Sequence, residues 1–339
     1  MRRMKFDKST TCPHCGSEQL CVERVYETIH NGARKMFRCL GCTALFAETH
    51  GTPMEDIKSP LSKVASVLRV RTEGLGLRAT ARVFGMHKNT VSDWEKRFAE
   101  QKAPLMLYAV CHKFISLTFE GDELYTVVGE RGEASQSEGW TAVVMERASR
   151  FIIEQRCGQK DAELFEAVMK TVAAYLKQSD DVTFLSDGER RYGNTLFTLC
   201  SEALREGQRG RPPQVLPEGV KVRLKNKGSQ KTKPGRKRPK YETPHREHPK
   251  TAQGLDSRDI HANHVEAQNA AMRRRNSAFR RRTNTYAKNK AGLQRTLDVH
   301  QIIHNFTRPH WTTGKVPAEV LGITKGALCL ENLLTMRIA

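Results

Sequence analysis

The sequence predicts a mixed α/β domain, one mixed five-stranded sheet with helices, behind two small N-terminal modules. Three observations predict it. Two Cys-x-x-Cys pairs lie within the first fifty residues, a helix–glycine–helix pattern fills residues 60–102, and strand and helix patterns alternate from residue 113 onward. The expected division is residues 1–55, residues 60–102, a large domain over 110–310 with a basic insert at about 206–255, and a C-terminal tail at 311–339.

The paired cysteines come first. Cys12-Pro-His-Cys15 and Cys39-Leu-Gly-Cys42 are separated by 23 residues. Each Cys-x-x-Cys turn aims two thiolates at one point, and two such turns make the tetrahedral sulfur site that zinc favours. The spacer is slightly long for this pattern, but CVERVYET and RKMFRC within it have strand-like composition. The expectation is a zinc ribbon holding one structural Zn²⁺ through Cys12, Cys15, Cys39 and Cys42. A redox role is the rival, yet one pair would suffice for that. Cys21 and His14 stand nearby as spare ligands. Cys111, Cys157, Cys200 and Cys329 are isolated and read as ordinary buried thiols.

In the second module Leu77, Ala81 and Phe84 share one helical face, and Gly85 permits a tight turn. Val91, Trp94 and Phe98 then give the next helix an apolar stripe. A helix, a glycine turn and a second helix with a polar start form a helix-turn-helix. His87, Lys88, Asn89 and Ser92 are placed to reach base edges. An ordinary helical hairpin is the alternative.

The large domain begins with FISLTFEGDELYTVV, a strand carrying Asp122 and Glu123. Residues 139–145 and 151–156 read as the second and third strands, and residues 161–178 as an amphipathic helix with Leu164, Phe165, Val168, Val172 and Leu176 on one face. The run VTFLSDG is a buried strand that ends in Asp187, where a carboxylate at the strand tip is open to chemistry. A helix near 194–205 and a strand at Val220 follow. Beyond the basic insert, residues 259–275 form a helix with Glu266, Asn269 and Arg273 on one face. Three antiparallel strands, helix, strand, helix, strand, helix is the ribonuclease-H plan. An acid on strand one, another after strand four and a third on the late helix can hold two Mg²⁺ or Mn²⁺ ions for phosphodiester chemistry. Asp122, Asp187 and Glu266 are therefore the candidate catalytic triad and metal ligands, with Glu123 the substitute should the register of strand one slip by one residue.

The charge is concentrated. The 339-residue chain carries a formal charge of +20; residues 205–250 hold 15 Lys/Arg against 4 Asp/Glu, and residues 273–297 hold 9 against none. The remainder balances. Two internal basic blocks flanking a candidate catalytic helix are how a chain builds a phosphate-binding surface. Lys231, Lys233, Arg236, Lys237 and Arg238 lie in the first block. No run of about 18 apolar residues is present, so no membrane span is expected, and the N-terminus lacks the apolar stretch of a secretory signal. The expected compartment is the cytoplasm, where the nine cysteines stay reduced.

Taken together, the knuckles CPHCG and CLGC and the segments GDELYTVVG, LSDGERRY, HVEAQNAAMRRRNSAFRRRTNTYAKN and LQRTLDVHQIIHNFTRPH resemble the transposases of the first-named insertion-sequence family and close relatives with a longer N-terminus. The resemblance runs along nearly the whole chain. It is most specific in the final third, with Glu-x-x-Asn, spaced arginines and a Thr-x-x-Lys-like segment. It implies a ribonuclease-H-like fold and DDE-type cleavage and strand transfer at the ends of an insertion sequence, in a prokaryotic, nucleoid-associated setting. Asp122, Asp187 and Glu266 fall on that family's triad, and Asn269, Arg273 and Arg280 on its DNA-holding helix and the segment after it. The implied partners are the terminal inverted repeats, target DNA and further copies of the chain in a homodimer or larger assembly. The long basic insert departs from the compact members. A ribonuclease-H-type nuclease or resolvase without strand transfer, and a non-enzymatic zinc and helix-turn-helix regulator, are the alternative functions.

Overall fold

Two compact units make up the chain: one runs through Tyr108 and includes the residues from Leu328 on, and the other spans Ala109–Ala327. The structure, a computed structural model, describes residues 11–130, 132–205, 207, 210–226, 239–252, 254–281 and 284–337.

The first unit opens with a three-stranded antiparallel sheet, β1 (Leu20–Thr28), β2 (Gly32–Cys39) and β3 (Leu45–Ala47), in that order. Its small core is Cys12, Cys39 and Phe46, with Leu20 and Phe37 packed against it. Four helices follow: α1 (Leu61–Arg71), α2 (Leu77–Val83), α3 (Lys88–Ala99) and α4 (Lys102–Val110). Val91, Trp94 and Phe98 are buried as their spacing requires. Gly85 takes a φ of +59°, the left-handed conformation that lets the chain reverse between α2 and α3. A buried ion pair, Arg71 Nε to Glu95 Oε1 at 2.6 Å, joins α1 to α3. The C-terminal residues return to this unit. Arg337 donates to the carbonyls of Thr11 and His50 and lies over the Phe46 ring.

The second unit is mixed α/β. Strands β4 (Leu117–Tyr125), β5 (Trp140–Glu146) and β6 (Ile152–Gly158) are followed by α5 (Ala162–Leu176), β7 (Val182–Asp187) and α6 (Arg190–Cys200). A small ladder, β8 (Glu202–Ala203) with β9 (Gln214–Val215), precedes β10 (Val220–Lys225) and β11 (Tyr241–Glu242). Helices α7 (Asn263–Arg275), α8 (Lys290–Ile302), α9 (Pro317–Val320) and α10 (Leu330–Thr335) complete the elements, the last belonging to the first unit. The sheet order is β11-β10-β7-β4-β5-β6. β4 pairs antiparallel with β5, as β5 does with β6, and β4, β7 and β10 run parallel. The five expected strands are thus joined by a sixth, β11, antiparallel to β10. Beyond this pairing, Asn226 N–H donates to the Lys240 carbonyl at 2.8 Å, and the Asn226 side-chain amide donates to the Pro239 carbonyl at 2.7 Å.

The sheet is covered on both faces, so β5 and β7 are almost entirely buried. One face carries Phe119 and Phe184, packed against Tyr175 of α5 and Tyr192 of α6. The other carries Leu124, Val143 and Met145 against Val265 and Met272 of α7 and Leu293 and Leu297 of α8. Helix α5 starts where the Asp161 side chain accepts from Leu164 N–H, an N-cap that fixes the expected boundary. Helix α6 starts four residues before its expected position because Glu189 caps it through Arg191 N–H. The isolated cysteines divide: Cys157 is buried, whereas Cys111 and Cys329 are exposed, correcting the expectation of four buried thiols. Both stand beside helix ends, where the apolar pattern stops and the chain meets water. Among the described residues no helix is long and apolar enough to cross a membrane.

Candidate metal centre and carboxylate site

In the first unit the four knuckle cysteines converge. Cys12 Sγ lies 3.5 Å from Cys42 Sγ, and Cys15 Sγ lies 3.5 Å from Cys39 Sγ. All four sulfurs fall within 4.8 Å of one another. Zinc–sulfur bonds of about 2.3 Å set tetrahedral sulfurs about 3.8 Å apart, so the donor set fits one Zn²⁺. The amides of Cys42 and Gly41 point at the Cys39 sulfur and, against the opposing effect of burial, hold its pKa down at about 6. The spare ligands lie apart from this set. Cys21 Sγ bonds the Arg38 carbonyl, and the His14 ring stacks on His50.

The residues expected to read DNA stand at the start of α3. His87, Lys88 and Asn89 are exposed, and Ser92 is half-buried. His87 is the N-cap, its Nδ1 accepting from Asn89 N–H at 3.3 Å, so this ring is partly committed to the helix.

The acids of the second unit are placed by strand register. Gly121 pairs with Ser186 in the parallel β4–β7 ladder, so Asp122 and Asp187, one step further on, project from the same face of neighbouring strands. Asp187 is the last residue of β7. That face is the one covered by α7, and Asn269 of α7 donates its Nδ2 to Asp122 Oδ2 at 2.9 Å. Glu266 lies three residues before Asn269, on the same side of the helix. Of the three acids, Asp122 is tied to α7 through Asn269, Asp187 stands on the neighbouring strand, and Glu266 is on α7 itself; they are not drawn within 4.8 Å of one another. Arg273 lies one turn beyond Asn269, and Arg280 ends a short 3₁₀ turn at Ser277–Phe279. Lys231, Lys233, Arg236, Lys237 and Arg238 lie outside the described residues.

Glu123 faces the other way. It is largely buried, and its carboxylate accepts from Lys160 Nζ at 2.7 Å. Burial raises its pKa, with Lys160 opposing. Alternation separates Asp122 from Glu123, so only Asp122 faces the helix that carries Glu266.

Sequence reasoning overlooked two neighbours. Gly121 leaves room for Tyr192, whose hydroxyl donates to the Asp122 carbonyl at 3.0 Å. Glu120, fully buried, shares the Asp122 face and forms a second cluster with His261 and His264, their ligand atoms within 4.8 Å of one another. The alternation of Thr118, Glu120 and Asp122 along β4 was the available signal.

No family profile matches the chain, and no curated protein does. Among solved structures, the chain is 12% identical to that of the Mos1 strand transfer complex, covering 42% of this chain and 56% of that one, with a TM-score of 0.15. A Mos1 transposase paired-end complex with the left transposon end gives 12% identity, 42% and 56% coverage and a TM-score of 0.16. A pre-cleavage Mos1 transpososome gives 12%, 42%, 57% and 0.16. The chain spans little more than half the length of the chains it matches. A likeness this slight carries no weight for function.

Proposed function

We propose that the chain is a DDE transposase with a ribonuclease-H-like catalytic domain, which binds the ends of an insertion sequence and catalyses phosphodiester hydrolysis and strand transfer. One observation carries the reading: Asp122 and Asp187 project from the same face of adjacent parallel strands, and the helix that carries Glu266 bonds Asp122 through Asn269. The strand order, three antiparallel and two parallel, supports the fold assignment.

Asp122, Asp187 and Glu266 offer hard oxygen donors from three elements, a set suited to Mg²⁺ or Mn²⁺. Two such ions, when bound, would activate the attacking water or hydroxyl and stabilise the leaving oxygen. Asn269 fixes the orientation of the Asp122 carboxylate through Oδ2. Arg273 and Arg280 supply cations for the DNA backbone. His87, Lys88, Asn89 and Ser92 read the element's end, and the basic insert adds salt-dependent affinity. One Zn²⁺ on Cys12, Cys15, Cys39 and Cys42 stabilises the N-terminal module. The chain acts as a homodimer or larger assembly in the prokaryotic cytoplasm, on paired terminal repeats and target DNA.

The test is nicking and joining of an oligonucleotide bearing the element's end, beside a binding titration. Asp122→Asn, Asp187→Asn and Glu266→Gln should each abolish both reactions by orders of magnitude while end binding survives. Normal cutting by all three variants would refute the site. Cutting without joining by the wild-type chain would instead indicate a nuclease or resolvase.

A further inference from the structure

We infer that Glu120 is a positioning residue that sets the spacing between β4 and α7, and so the separation of Asp122 from Glu266; this rests on the carboxylate site proposed above. Glu120 Oε2 accepts from the backbone N–H groups of His264 at 2.9 Å and Val265 at 3.0 Å. These are first-turn amides of α7, which have no partner within their own helix. The local N-cap residue, Ala262, has no side-chain oxygen and caps nothing. A carboxylate 144 residues earlier in the chain does that work instead, and its charge suits the positive end of the helix.

The other oxygen is equally committed. Glu120 Oε1 accepts from Arg147 Nε at 2.6 Å and from His264 Nδ1 at 2.7 Å. Arg147 also donates through Nη2 to the His261 carbonyl at 2.6 Å and stands 3.4 Å from His261 Nδ1. A guanidinium therefore bridges Glu120 and His261 within this cluster. Two metal-type side chains already donate to, or accept from, that cation and carboxylate. The cluster is a clamp on the start of α7, not a cation site.

The spacing of the contacts says what the clamp does. From Glu120 to Asp122 is two strand residues, about 6.8 Å. From His264 and Val265 to Asn269 is four to five helical residues, about 6 to 7.5 Å. The two steps match, so the helix lies along the strand with two pins: Glu120 holding the first turn, and Asn269 holding Asp122 one turn later. Glu266 sits between the pins. Glu120 acts by fixing where one acid stands relative to another.

The experiment uses the full chain, with Mn²⁺ as the probe. Mn²⁺ binding is measured by electron paramagnetic resonance, the Mg²⁺ concentration for half-maximal nicking is measured separately, and hydrogen exchange is followed at the His264 and Val265 amides. Glu120→Gln should weaken Mn²⁺ binding about 10- to 100-fold, the range for loss of a residue that orients metal ligands. It should raise the Mg²⁺ requirement in parallel and speed exchange at both amides, while end-DNA binding and cutting at saturating metal stay near wild type. Glu163→Gln on α5 serves as the unaffected control. Should Glu120→Gln fail to fold, His264→Ala removes only the ring contact and should weaken Mn²⁺ binding about threefold, short of the full loss of such a residue. Unchanged Mn²⁺ affinity in the folded variants overturns the inference. A wild-type chain that binds no Mn²⁺ overturns the carboxylate site itself, a distinguishable failure.

Discussion

Replacing Gly121 with alanine tests how closely the body of the domain is built around its candidate site. A Cβ at this position would stand 2.9 Å from Phe184 Cζ and 3.3 Å from the Tyr192 ring. Both rings are fully buried, so neither can swing into solvent. Overpacking of this kind costs about 1 to 3 kcal/mol. Removing a glycine from the unfolded chain returns roughly 0.4 to 1 kcal/mol. The net expectation is destabilisation by about 1 to 2 kcal/mol, a factor of roughly 5 to 30 in the opening equilibrium. Amide exchange in the β4–β7 ladder should accelerate by that factor. The displaced Tyr192 should also weaken its bond to the Asp122 carbonyl, lowering nicking beyond the stability effect. Pairing the change with Phe184→Leu opens space, so the double variant should be less destabilised than the sum of the singles. Additive effects, or exchange no faster than wild type, would refute the argument from contact geometry.

Three further outcomes are expected. Cys39→Ser should lose stoichiometric zinc by elemental analysis and unfold the N-terminal sheet; retained zinc would exclude the four-cysteine site. Lys88→Ala with Asn89→Ala should reduce discrimination between the element's end and random DNA, whereas neutralising Lys231, Lys233, Arg236, Lys237 and Arg238 should flatten the salt dependence and leave that ratio intact. Finally, burial drives the pKa of His300 well below its usual value and that of His304 to about 3, helped for His300 by His304, Arg308 and Arg275, and for His304 by His310, Arg275 and Arg308, while the Arg150 carbonyl opposes at His304. Both are neutral when folded and take protons when unfolded below about pH 6.5. Stability is thus complete above about pH 6.5 and falls as pH drops below it, for His304 down to about 3, by at most about 1.4 kcal/mol per pH unit for each group. His304→Gln should reduce the slope of the urea midpoint against pH by one proton; an unaltered slope would exclude this source.

Local chemistry made much of this legible in advance. The Cys-x-x-Cys spacing, the stripe of Leu164, Phe165, Val168 and Val172, and the run ending in Asp187 each carry their signal within a few residues. Long-range partnerships do not. The short strand β11 exists because Tyr241 and Glu242 find an open edge of β10, which no periodicity announces. Glu120 reads as one more acid beside Asp122 until α7 returns to it from 144 residues away. The faces of Asp122 and Glu123 were likewise undecided until β5 and β7 fixed the register.

The hydrogen bonds that tie Asn226 to Pro239 and Lys240 join two points of the chain inside the basic insert. Asn226 and Lys240 are thereby held side by side, next to the paired ends of β10 and β11. Closure entropy grows slowly with the number of residues between two joined points, by only about 0.6 kcal/mol for each doubling. A change in chain length between Asn226 and Pro239 should therefore cost the domain little, because the strands that carry Asp122 and Asp187 are paired independently of it.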